Sequence, residues 1–68
     1  MEKRKKFKVY DLTEGKETLG YADNMREVKK LAKEQYEATD GDCQIHYIEL
    51  DKESNKYKWS RMTFLETF

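Results

Sequence analysis

The sequence predicts an α+β domain of ββαββ order, with a four-stranded antiparallel sheet and one helix packed on one face. Three observations carry that expectation. The segment "DNMREVKKLAKEQYEATDG" sets apolar residues at helical spacing. The stretches before and after it alternate or cluster β-branched and aromatic residues as strands do. No proline interrupts any of them.

The first strand is read from "KFKVYDL", where Lys6 and Lys8 fall on one parity and Phe7 and Val9 on the other. "TEGKE" follows, and Gly15 can supply the positive φ that a tight connection needs. "TLGYA" resumes the alternation with Leu19 and Tyr21 on one side, so residues 6 to 22 are expected to form a β-hairpin. In the helix, expected over about Met25 to Thr39, one stripe holds Met25, Val28, Leu31, Ala32, Gln35 and Tyr36. Arg26, Lys29, Lys30, Lys33 and Glu37 occupy the other faces. Asn24 suits the N-cap, Glu27 completes a capping box, and Gly41 is placed to end the helix in the left-handed conformation. "CQIHYIEL" and "YKWSRMTFL" then read as a second hairpin around the polar loop "DKESNK", where Ser54 and Asn55 favour turning. The expected core draws on Phe7, Val9, Leu19, Tyr21, Val28, Leu31, Ala32, Tyr36, Ile45, Tyr47, Tyr57 and Trp59. The order of the strands in the sheet stays open.

Sixty-eight residues make one domain, residues 1–68, with residues 1–5 expected as a flexible basic N-terminus. A chain this short buries only about 60% of the surface it exposes when unfolded, so the core is thin. Nine aromatic residues raise the area buried per side chain. Fourteen basic and fourteen acidic residues cancel, which removes the usual electrostatic case for a nucleic-acid or membrane binder. The charges are nevertheless segregated into blocks along the chain, which predicts one basic and one acidic side. One cysteine makes no internal disulfide, and zinc frameworks need several Cys or His ligands. The N-terminus lacks the apolar run of a signal peptide, and no segment approaches the ~20 apolar residues of a membrane span. The expectation is a soluble cytoplasmic protein without membrane contact. Its small size and high charge resemble those of short accessory proteins of bacteria and their phages.

The stretch "DGDCQIHYIELD", residues 40 to 51, holds the only cysteine and the only histidine. Cys43 and His46 are three apart, and odd spacing on a strand sends side chains to opposite faces, which breaks a nucleophile–base pair. Asp40 and Asp42 have a calcium-loop spacing, but Ile45 and Asp51 stand where such a loop needs glycine and glutamate. Glu49, Asp51 and Glu53 fall at a strand end and in a polar loop, where carboxylates stay solvated. Glycines 15, 20 and 41 match no phosphate-binding cradle. These absences lead to the expectation of a non-enzymatic protein with no catalytic residue, metal, cofactor or small-molecule substrate.

The apolar pattern of the second hairpin runs on both parities. Ile45 and Tyr47 share one face of the third strand, and Ile48 and Leu50 the other. In the fourth strand Tyr57 and Trp59 oppose Met62 and Phe64. Either a bulge near "SRMT" brings both sets to one side, or "MTFLETF" leaves the sheet and packs back, or part of the set is exposed as a contact surface. The contact reading makes the chain a small binding or accessory module, docking on a protein partner or on a second copy. Its expected contact residues are Tyr10, Ile48, Leu50, Met62 and Phe64. The alternative is a weak nucleic-acid binder using Lys3, Arg4, Lys5, Lys6, Lys8, Arg26, Lys29, Lys30 and Lys33, a possible patch of nine positive charges.

Overall fold

The computed structural model describes residues 4–66, and its elements follow the expected order. They are β1 (Phe7–Asp11), β2 (Glu17–Ala22), α1 (Met25–Ala38), β3 (Ile45–Asp51) and β4 (Lys56–Phe64). The strands form one antiparallel sheet in the order β2-β1-β3-β4, with α1 lying across β2 and β1. Each hairpin therefore gives the sheet one central and one edge strand. Of the expected flexible N-terminus, residues 1–3 lie outside the described residues. No helix among the described residues is long and apolar enough to cross a membrane.

The helix starts where its capping residues allow. Asn24 accepts a hydrogen bond from the Glu27 amide at 2.9 Å, and the Glu27 carboxylate accepts one from the Asp23 amide at 2.8 Å. The return arm of the capping box thus closes one residue earlier than the standard pattern. At the other end, the Gly41 amide donates to the Tyr36 carbonyl at 2.8 Å. Gly41 has φ +85°, which strains any other residue, and a Cβ there would stand 3.3 Å from the Tyr36 ring, which would have to shift by a few tenths of an ångström.

Under the helix lie Phe7, Val9, Ala22, Val28, Ala32, Ile45 and Leu65, with Leu19, Met25, Leu31, Cys43 and Tyr47 packed around them. Phe7 and Tyr47 meet edge to face with ring centres 5.8 Å apart. The chain continues as a strand to Phe64, and the next residue, Leu65, sends its side chain into this core while its amide donates to the Ile45 carbonyl. Central position explains why β1 is buried on both sides, with Val9 and Tyr10 each almost fully covered.

Four aromatic residues expected in this core are not there, and two bulges explain three of them. Leu19 is an extra residue in β2, because the register slips between Val9 and Tyr10. Leu19 packs toward the helix, so Tyr21, paired with Lys8, faces the opposite way and is 47% exposed. In β4, four residues, Lys58 to Arg61, stand opposite the single residue Glu49, because Ile48 pairs with Met62 and Leu50 with Tyr57. Three extra residues reverse the parity, which puts Tyr57 on the same face as Met62, away from the helix. Trp59 sits within that arch and turns to the same face. The fourth, Tyr36, is an exposed residue at the end of α1, where its ring covers Gly41.

One buried carboxylate ties the helix face together. Asp11 accepts hydrogen bonds from the Thr13 amide and hydroxyl at 3.0 and 2.6 Å. It also accepts from the Gln35 side chain at 2.9 Å and the Gln44 amide at 3.1 Å. Burial pushes this carboxyl up, but the four donors outweigh it and hold it at about 2. Strand, turn, helix and the loop into β3 thus share one acceptor.

Candidate functional site

The helix packs over β2 and β1 on one face of the sheet, and the opposite face carries side chains alone. Its geometry follows from the register. One row across the sheet runs Tyr21, Lys8, Ile48 and Met62. The next runs Thr18, Tyr10, His46 and Phe64, and Leu50 faces Tyr57 beyond the first row. No carboxylate stands in any of these positions, although the chain has fourteen acidic residues.

Three ring pairs organise this face. Tyr10 and Trp59 have centroids 4.8 Å apart, Tyr21 and Tyr57 5.7 Å, and the His46 and Phe64 rings 5.2 Å. The first contact reaches from β4 across β3 to β1, and Ile48, on the strand it spans, is fully buried. The second joins the two edge strands. Such reach depends on the β4 arch, which lifts Trp59 out of the row so that it can lie back over Tyr10.

Cations are threaded among the rings. The Lys8 ammonium lies 5.0 Å from the Tyr10 ring centre, 5.5 Å from Tyr21 and 5.9 Å from Tyr57. A hydrogen bond with Tyr10 raises the affinity of Lys8 for its proton, against burial, so the charge is held firmly. Lys16, from the β1–β2 turn, places its ammonium 3.7 Å from the centre of Trp59. Arg4 lies 6.0 Å from the centre of Tyr57, whose hydroxyl donates to the Lys5 carbonyl. Burial, with Tyr21 alongside, pushes the Tyr57 hydroxyl up.

The five residues expected to make contact, Tyr10, Ile48, Leu50, Met62 and Phe64, do share this face. They differ in availability. Tyr10 and Ile48 are buried beneath their neighbours, Leu50 and Met62 are half-buried, and Phe64 is 52% exposed. The exposed ring surface is completed by Tyr21 and Trp59, which strand parity had assigned to the core. The signal that could have found Trp59 is the even mixing of aromatic residues on both parities of β4, which marks a bulge, whereas nothing in the β2 sequence marks the bulge that turns Tyr21 outward.

The nine cations of the alternative reading are divided. Arg26, Lys29, Lys30 and Lys33 are exposed on α1, which lies on the far side of the sheet from Lys8. Arg4 belongs with Lys8 through Tyr57, Lys6 is turned toward Glu49 at 4.0 Å, Lys5 is exposed at the approach to β1, and Lys3 lies outside the described residues. Instead of one basic side, the fold has cations on two opposed surfaces.

Cys43 packs against the helix-side core, whereas His46 lies on the open face with its ring against Phe64 and its Nδ1 near the Gln44 carbonyl. The pair does not meet. Asp51 is engaged by Lys58 at 2.8 Å and by the Ser54 hydroxyl at 2.8 Å, which hold its carboxyl at about 2. Among the described residues no group of three or more His, Cys, Asp or Glu is placed to hold a metal ion. Comparison with protein-family models, with curated proteins and with solved structures finds no match to this chain.

Proposed function

We propose that this chain is a non-enzymatic binding module, an accessory protein whose working surface is the sheet face opposite α1. One observation carries the reading. Among the described residues, three of the four exposed large hydrophobic ones, Tyr21, Trp59 and Phe64, lie on that single face at 47, 42 and 52% exposure. Water gains nothing from rings held in this way, while a partner that covers them gains apolar burial and ring contacts. Aromatic residues and methionine are also the types that contact surfaces favour. The exposed apolar area alone suits a protein partner or a second copy, and the interleaved cations add a preference for negative charge. The outer cations of α1 support a second reading, weak phosphate contact from the helix side, because Arg26, Lys29, Lys30 and Lys33 are all exposed on one element.

Site-specific photo-crosslinking in cells that express the protein tests which side works. A benzophenone amino acid replaces Tyr21 or Phe64 on the sheet face, or Lys30 on α1. Adducts, whether with protein or nucleic acid, are expected from the sheet-face positions and not from Lys30. The reverse pattern, or no adduct from either sheet-face position, overturns the reading.

A further inference from the structure

Resting on the reading of the sheet face as the working surface, we propose that its occupant is a single-stranded polynucleotide. Its bases stack on Tyr21, Trp59 and Phe64, and its phosphates meet Arg4, Lys8 and Lys16. The first support is chemical composition. A surface with three exposed rings, cations 3.7 to 6.0 Å from ring centres, and no carboxylate in its rows complements a chain that alternates flat π-systems with negative charge.

The second support is the way the cations are held. Among the described residues, Lys16 and Arg4 pair with rings, Lys8 with rings and with Tyr10 by a hydrogen bond, and none of them with an acid, so each can turn to a phosphate without leaving a carboxylate unpaired. Lys16 is exposed in the β1–β2 connection, so its side chain can swing off Trp59 and free that ring face for a base. The third support is shape. A four-stranded antiparallel sheet backed by a helix gives a broad platform on which unpaired bases can be laid out, and a duplex would keep its ring faces hidden.

A second copy of the chain is the weaker occupant. A two-fold contact through this face would bring two patches of the same sign together, with Arg4, Lys8 and Lys16 meeting a surface that has no carboxylate in its rows. An acidic peptide would satisfy the cations and leave the rings with little to stack on.

Trp59 is the only tryptophan, so its fluorescence reports directly on this face. The test is a titration of the full chain with an oligothymidylate of about ten nucleotides at two salt concentrations. The expected result is quenching of Trp59, with log affinity falling against log salt at a slope near −2, from about 0.7 per phosphate contact at three cations. Lys8→Gln and Lys16→Gln should each flatten that slope by about 0.7, while Lys29→Gln and Lys30→Gln leave it unchanged. Phe64→Ser, at an exposed position, should weaken binding about tenfold. The proposal is overturned if the oligonucleotide causes no quenching at low salt, if polyglutamate competes as well as the oligonucleotide, or if the helix substitutions remove binding. It is also overturned if sedimentation finds a dimer that Phe64→Ser dissolves while the oligonucleotide does not bind. Crosslinks from Phe64 without oligonucleotide binding would remove this occupant and leave the sheet face standing as the working surface. Crosslinks from Lys30 alone would remove both.

Discussion

Asp11 is the residue on which most of the helix side converges. An ionised carboxylate supplies acceptor sites for four donors at once, and only acceptors are wanted there. Asn has nearly the same shape, but it lacks the charge that strengthens the bonds from Thr13 and Gln44 to Oδ1, and its amide in place of Oδ2 would face the Gln35 amide donor and force it to flip. Asp11→Asn should therefore destabilise the fold by about 1–3 kcal/mol, seen as a lower midpoint in urea. The acid dependence has a definite direction. Because the folded carboxyl titrates at about 2, below its ordinary 3.8, its contribution is complete above 3.8 and is lost as pH falls toward 2. The wild-type chain should lose stability through that interval, and Asp11→Asn should make that loss shallower. Asp51, held at about 2 by Lys58 and Ser54, adds loss of the same sign and preserves a remainder in the variant.

At the scale of elements, the bulge in β2 rests on Gly20. It pairs with Val9 beside the extra residue Leu19, has φ +154°, and leaves room for Leu31, whose methyl groups stand 3.3 and 3.4 Å from where a Cβ would be. Gly20→Ala should cost about 1–3 kcal/mol from backbone strain alone, measured as a fall in Tm, whatever Leu31 does to make room. The same element shows what a sequence can and cannot say. Both hairpins and the helix were legible, because alternation, the Asn24–Glu27 cap and turn residues such as Gly15 and Asn55 act over a few neighbours. Asn55 indeed takes a positive φ of 56°. The bulge in β2 was not, since an extra residue is placed by the partner strand and by what lies above it, and the one in β4 was legible only as one of three alternatives near "SRMT". Leu19 is drawn in by the helix, and the β4 arch is stabilised where Trp59 meets Tyr10, a residue 49 positions earlier in the chain. The candidate site was half legible for the same reason. Phe64 and Met62 follow simple parity, while Tyr21 and Trp59 reach the open face only through irregular register.

For the whole molecule, the pairing of β1 with β3 is the joint between two local units. Within each hairpin, strand partners are close in sequence, but Phe7 meets Glu49 and Asp11 meets Ile45 across the helix and both of its loops. The hairpins and α1 can begin to form on their own, whereas this joint must close a long loop before its contacts repay the lost chain entropy. The slow event in refolding should therefore be the meeting of β1 with β3. In stopped-flow refolding, Val9→Ala, which thins the centre of the joint, should slow folding, whereas Leu65→Ala, at the far end of β4, should chiefly speed unfolding. Until that joint closes, the inner edges of both hairpins are unpaired, and a nascent chain in a crowded solution presents two more sticky borders than the folded sheet, whose β2 and β4 edges alone stay open. Two such chains could exchange their second hairpins through the segment after α1, so rapid dilution should favour correct monomers over entangled pairs.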